Sequence, residues 1–212
     1  MTEGLEYLAF VNALAAVLLV VLAEPIVRLL FERGAFGEVA TQRSALALMC
    51  LAPGLVFFSS VNIFARAFFA LGDTKTPAKI SILCLGVNLL ISLILVFRFK
   101  QAGLGVANSL TSLLNMVLLA MALRRKLTRL SYGPLLKMGL KLLFLSLVAG
   151  VVAWGGLGVW NRYIGYGNLL AKIGQVFVPA SLAAGCYLLG AYALRLPQVM
   201  KFLESVRARL NR

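Results

Sequence analysis

A chain of 212 residues that is 61% hydrophobic and 13% charged, with mean hydropathy +0.94, is too apolar for a soluble domain, where about half is apolar and a quarter charged. Its apolar runs of about 20 residues suffice to cross about 30 Å of hydrocarbon as helices, and they lack the period-two alternation of a transmembrane barrel. The net charge of +14 lies between those runs, which points to membrane topology and away from nucleic acid; the absence of histidine removes the commonest general base and metal ligand.

Six spans are expected in chain order. The first covers about Tyr7 to Phe31, with Glu24-Pro25 near its far end, and the two glycines of Glu32–Gly37 end it. Glu3 and Glu6 precede it without a basic region, so it does not read as a signal peptide. The second runs from about Thr41 to Leu71, with Pro53-Gly54 a kink or break. A short connection follows, in which Gly72-Asp73 stops one helix and Thr76-Pro77 starts the next, Thr76 as N-cap and Pro77 at the first helical position. The third span is about Ala78 to Phe97 and the fourth about Ala102 to Leu123. Only a short turn separates them, so they are antiparallel neighbours. The fifth, about Leu135 to Trp160, ends in Trp154, Trp160, Tyr163 and Tyr166, an aromatic belt. The sixth is about Lys172 to Leu194. In the tail, residues 195–212, Val199, Leu203, Val206 and Leu210 form an apolar stripe opposite Lys201, Arg207 and Arg209. That is a basic amphipathic helix for an anionic lipid surface.

Basic residues crowd one side of this layout: Lys75 and Lys79, the run Arg124-Arg125-Lys126 and the tail. Fewer, including Arg28, Arg98 and Lys172, fall on the other. The richer side is cytoplasmic, which puts both termini and the Gly72–Pro77 loop there. Cys50, Cys84 and Cys186 sit in different apolar runs without ligand spacing and read as small buried hydrophobes.

Polar residues inside spans carry the functional information. Ser81, Cys84, Asn88 and Ser92 share one helical face, as do Gly105, Asn108, Ser112 and Asn115. Depth matching lets Asn88 meet Ser112, and Ser92 meet Asn108, across the hairpin. These faces are either interhelical hydrogen-bonding surfaces or a cation or substrate site lined by neutral oxygens. Arg66, near the cytoplasmic end of its span, either snorkels to the surface or binds an anion from an aqueous cavity, and could pair with Asp73 two turns on. Glu24 is the other charge near a membrane interior. Spans five and six hold Ser146/Gly150 and Ser181/Gly185 at small-xxx-small spacing and no central charge, which suits helix packing or a groove for lipid chains.

Two stretches resemble a known family. Leu22-Ala23-Glu24-Pro25-Ile26 through Leu30-Phe31-Glu32-Arg33-Gly34-Ala35-Phe36, and Arg66 through Gly72-Asp73-Thr74-Lys75-Thr76-Pro77, are similar in wording, order and separation to segments of the MviN/MurJ lipid II flippases. Ala102-Gly103-Leu104 falls where that family turns into its next helix. The resemblance covers nearly the whole chain but only the last six of the family's fourteen helices.

It implies an all-α membrane protein that forms most of the C-terminal lobe of a two-lobed transporter. Residues 1–126 would be the four-helix part of that lobe, residues 127–194 a final pair holding a lipid tail, and residues 195–212 the cytoplasmic tail. The implied activity is movement of lipid II, or a related undecaprenyl-linked precursor, across the bacterial inner membrane by alternating access. No covalent chemistry and no tightly held cofactor are implied. Membrane phospholipids and the protein's own N-terminal lobe would be partners. The family's best-known substrate-binding arginines and acidic residues lie in segments outside this chain, so Arg66 and Glu24 are substrate-binding candidates by their own position and not by the resemblance. A coupling cation, sodium or a proton, would fall at Asn88, but Ser92 stands where the family has an acidic ligand. The twelfth-helix hydroxyl falls near Asn108 to Thr111. Another polysaccharide-lipid exporter, a drug/cation antiporter of the same superfamily, or a non-transporting membrane scaffold are the alternatives, and an intramembrane enzyme is disfavoured.

Overall fold

The computed structural model describes residues 2–34, 36–126, 132–165 and 167–194, with side chains from Tyr7 and, in the fifth helix, from Gly139. The helices are α1 (Thr2–Val21), α2 (Ala23–Phe31), α3 (Glu38–Ala70), α4 (Lys75–Lys126), α5 (Tyr132–Tyr163) and α6 (Leu169–Ala193).

The first expected span is two helices. The segments Tyr7–Val21 and Ala23–Phe31 meet at 74°. Pro25 explains the break: it has no N–H for the Val21 carbonyl, and its ring would collide with that carbonyl. The backbone bonds Leu22 N–H to Leu18 and Ile26 N–H to Leu22 close the ladder on either side. The glycine-bearing turn after Phe31 therefore ends α2, the second half of this bent span. Pro25 falls in the first turn of α2, where a missing N–H is tolerated.

Pro53 does not break the second span, for α3 is helical through all its 33 residues. The Ser109 hydroxyl of α4 reaches the backbone beside it, accepting from the Gly54 N–H at 3.1 Å and donating to the Cys50 carbonyl at 2.6 Å. The helices approach closely enough for this because Gly54 and Gly105 are bare. A Cβ on Gly54 would lie 2.9 Å from the Ser109 hydroxyl, and one on Gly105 would lie 2.7 Å from the Ala47 carbonyl oxygen.

Spans three and four are the two limbs of α4. Straight, its 52 residues would extend about 78 Å, more than twice the hydrocarbon thickness. Instead the chain folds at Lys100, with φ 50° and ψ −126°. The expected connection from Arg98 to Gly103 thus narrows to one non-helical residue. A Cβ at Gly103 would stand 2.5 Å from the Leu95 carbonyl oxygen, so only glycine fits beneath the returning limb. At the other end Ile80 of the first limb packs with Leu119 and Leu123 of the second and with Val61 and Phe68 of α3. With the limbs counted separately, and α1 with α2 as one bent span, six crossings result, as the sequence predicts.

The helices are ordered across the bundle as α4, α3, α1, α5, α6, while α2 lies over α3 and touches α6. Among the described residues α3 and α4 make no contact with α5 or α6. The main core joins Phe10 of α1 to Leu142, Leu145, Ala149 and Ala153 of α5 and Ala183, Tyr187 and Ala191 of α6. Tyr187 donates to the Phe10 carbonyl at 2.9 Å, so its hydroxyl is satisfied in the buried core. Gly150 receives α1, a Cβ there falling 2.7 Å from Val17. Trp160 turns inward instead of joining an aromatic belt. Its indole N–H donates to the Ala171 carbonyl at 3.2 Å, and its ring fills the space a side chain at Gly174 would need. Trp154 and Tyr163 stay exposed. Tyr166 and the tail helix lie outside the described residues.

Candidate functional site

The loop between α3 and α4 is built as a joint. Gly72 has φ +72°, the left-handed conformation that glycine adopts most readily. Its N–H bonds the Phe69 carbonyl, and the Asp73 N–H bonds the Phe68 carbonyl, both at 3.0 Å. These two bonds form a Schellman stop. Asp73 then accepts from the Thr76 N–H at 3.0 Å, so Asp73, not Thr76, caps α4. The helix begins at Lys75 and carries Pro77 inside its first turn. Asp73 also pairs with Lys126 at the far end of α4, and Lys126 lies 5.9 Å from the centre of the Phe68 ring. The hydrogen bond from Lys126, followed by those from Thr76, holds the Asp73 carboxyl well below the usual carboxylate range. Thr74 and Lys75 are exposed at the tip.

Arg66 does not pair with Asp73. The helix ends at Ala70, and Lys126 takes the carboxylate. Arg66 is exposed on α3.

Among the described residues no hydrogen bond joins the polar faces of the two hairpin limbs. On the first limb Cys84 is buried, Asn88 and Ser92 are half-buried, and the Ser92 hydroxyl donates to the Asn88 side-chain oxygen at 2.8 Å. On the second limb Ser112 is buried, whereas Asn108 is exposed and lines a small recess of 260 Å³ with Leu19 of α1 and Leu51, Gly54 and Phe58 of α3. Asn108 therefore turns toward α3 and α1 rather than toward Ser92, because Gly105 and Ser109 set that face against α3. Asn115 is half-buried, and its side-chain oxygen is buried and unpartnered. Among the described residues no group of three or more Cys, Asp or Glu side chains could hold a metal.

Glu24 belongs to a larger cluster. Arg28 is 6% exposed and donates to Glu24 at 2.6 Å and to Glu32 at 3.2 Å. Glu32 accepts also from the Thr41 hydroxyl of α3 at 3.2 Å and from Lys172 of α6 at 3.3 Å. Burial raises the Glu32 carboxyl's affinity for a proton and is the largest single influence. The hydrogen bonds from Lys172 and Arg28, with the positive charges of both side chains, together outweigh it and leave the group below its ordinary value. The i, i+4 spacing of Glu24, Arg28 and Glu32 is visible in the sequence. The partnership with Lys172, 140 residues on, is not. Ser109 was missed for the same reason, since its role depends on the neighbouring backbone of α3.

Between α5 and α6 lies an apolar groove of about 790 Å³, lined by residues such as Phe144, Val148, Ser181, Gly185, Leu189 and Gly190. Ser181 and Gly185 do not pack a helix, as their spacing also allowed. Among the described residues, nothing beyond its own helix turn lies within 4 Å of where a Gly185 Cβ would be, so the small residues open the groove floor.

Comparisons with known proteins agree with this architecture. A family model described as lipid II flippase MurJ matches residues 1–174. A probable lipid II flippase MurJ from Synechocystis sp. is 31% identical over 86% of this chain and 34% of its own length. A counterpart from Buchnera aphidicola is 30% identical over 87% of this chain and 36% of its own length. A solved lipid II flippase MurJ in an inward closed conformation superposes with a TM-score of 0.69 at 20% identity, covering 90% of this chain and 38% of that one. The chain thus spans about a third of the length of these relatives.

Proposed function

Because the chain belongs to the lipid II flippase MurJ family, a family of multi-pass bacterial membrane proteins, we propose that it forms most of the C-terminal lobe of a lipid II flippase. The lobe would help carry lipid-linked peptidoglycan precursor from the cytoplasmic to the outer leaflet by alternating access. The unbroken family match over residues 1–174 carries this reading. A membrane transporter of this kind performs no covalent step. Its task is to give a charged headgroup a hydrated path while the isoprenoid tail stays in hydrocarbon.

The residues divide that task. The α5–α6 groove, apolar and open at Gly185, suits the tail. Arg66, exposed near the cytoplasmic end of α3, suits the anionic headgroup as it enters. Glu24 is already engaged by Arg28 and shapes the outer end rather than the cargo path. A coupling sodium ion at Asn88 and Ser92 would meet only neutral oxygens here, so a proton or a site shared with the N-terminal lobe is the better reading. The N-terminal lobe would be supplied by the remaining length of the protein. The excess of basic residues on one side supports a reading in which the Gly72–Pro77 loop and both ends of this segment face the cytoplasm, near anionic phospholipids of the inner membrane.

Complementation tests the reading. The full-length gene should support growth and lipid II translocation in cells depleted of their own flippase. Correct membrane insertion without restored translocation would assign the chain to another polysaccharide-lipid exporter, a drug/cation antiporter or a scaffold.

A further inference from the structure

The α5–α6 pair, which carries the groove, is fastened to the rest of the bundle at two places. Along its length it rests on α1, through the apolar core around Phe10 and the bond from Tyr187. At the outer end it meets α2, and among the described residues it touches neither α3 nor α4. The pair is internally tight. Trp160 seats against Gly174, Gln175 donates to Asn161 at 2.6 Å, and Pro179 packs on Gly156. It is therefore able to tilt as one body, with its contact to α1 around Phe10, Val17 and Tyr187 as the pivot.

The outer end is different. Because α1 and α2 meet at 74°, α2 crosses the ends of its neighbours and delivers Glu32 to a point where three helices converge. Glu32 takes Arg28 from α2 and Thr41 from α3 on one oxygen, and Lys172 from α6 on the other. Lys172 and Glu32 are each about four-fifths covered, their side chains 21% and 22% exposed. An ion pair this sheltered is screened far less than a surface pair, yet Lys172 can exchange Glu32 for water once it moves outward.

We infer that Lys172 and Glu32 form a releasable clasp that fixes the tilt of the α5–α6 pair, and that opening it lets the groove-bearing pair swing away from α3 at the outer end. Arg28 and Thr41 hold the Glu32 carboxylate in place when Lys172 leaves, so the α2 side of the clasp stays set for reclosure. The inference concerns movement of the lobe and does not depend on which lipid is carried.

Double electron–electron resonance on the full-length protein in nanodiscs tests it. Nitroxides at the exposed positions Val39 and Leu170 report the α3–α6 separation, and a Val39–Phe97 pair reports α3 against α4. Lys172→Met and Glu32→Gln should each broaden the 39–170 distribution or shift it outward by about 2 Å or more, while Lys172→Arg keeps the parent distribution and the 39–97 pair is unchanged in all three. If Glu32→Gln fails to fold, Lys172→Met decides alone. A 39–170 distribution that stays at the parent value in the foldable variants, or a 39–97 pair that broadens equally, overturns the clasp.

Discussion

Single polar residues fix the joints of this fold. Asp73 closes the α3–α4 loop through Lys126 and Thr76. Its carboxyl is more acidic folded than unfolded, so its contribution is complete above the ordinary carboxylate value of about 4 and is lost as pH falls through the lower folded value. Amide exchange in residues 71–78 should therefore stay slow from neutral pH into mild acid, and Asp73→Asn should speed it across that whole range. Ser109 is a second joint. Ser109→Ala removes both bonds to the α3 backbone beside Pro53 and should lower stability by about 1 kcal/mol, read as an earlier thermal midpoint in detergent. Arg66→Ala, with no described partner to lose, should leave that midpoint unchanged and lower lipid II translocation; normal translocation with this variant as sole copy would make Arg66 a snorkelling residue. Glycine, aspartate and proline spacing made the loop legible in the sequence. It could not show which cap acceptor wins, because Asp73 and Thr76 are both good N-caps, and the approach of Lys126 favours the first.

Elements here are shaped by where helices must bend and where they must stay bare. Lys100 holds a backbone conformation that favours glycine, so Lys100→Gly should raise stability by up to about 1 kcal/mol, measured as a later unfolding midpoint. A lower midpoint would mean that the lysine side chain contributes more than the strain removes. Gly105 has the opposite requirement. Its α3-facing side leaves no room beside Ala47 and Cys50, and Gly105→Ala should destabilise by about 1–3 kcal/mol. The two prolines read alike in sequence but differ in outcome. Pro25 sits at the 74° break between α1 and α2, where α2 turns aside to pack on α3 and meet α6. Pro53 stays within α3, where a neighbour's hydroxyl engages the adjacent backbone.

On the scale of the whole molecule, the groove tests whether architecture serves transport. Gly185→Phe adds a ring to open space rather than to a packed contact, so it should leave folding intact and reduce translocation severalfold by filling the groove at its floor. Unchanged transport would move the lipid tail elsewhere. Composition and run length determined the membrane class and the six crossings, because crossing hydrocarbon demands about 20 apolar residues whatever the packing and those demands are local in the chain; the family resemblance rests separately on the wording of Leu22–Phe36 and Arg66–Pro77. The partners of Glu32 and Ser109, the direction of Asn108 and the split between packing and groove at Ser146/Gly150 and Ser181/Gly185 were decided only by the tertiary structure. Each depends on which distant helix lies alongside, and helical periodicity gives a residue's face without naming the neighbour that face will meet.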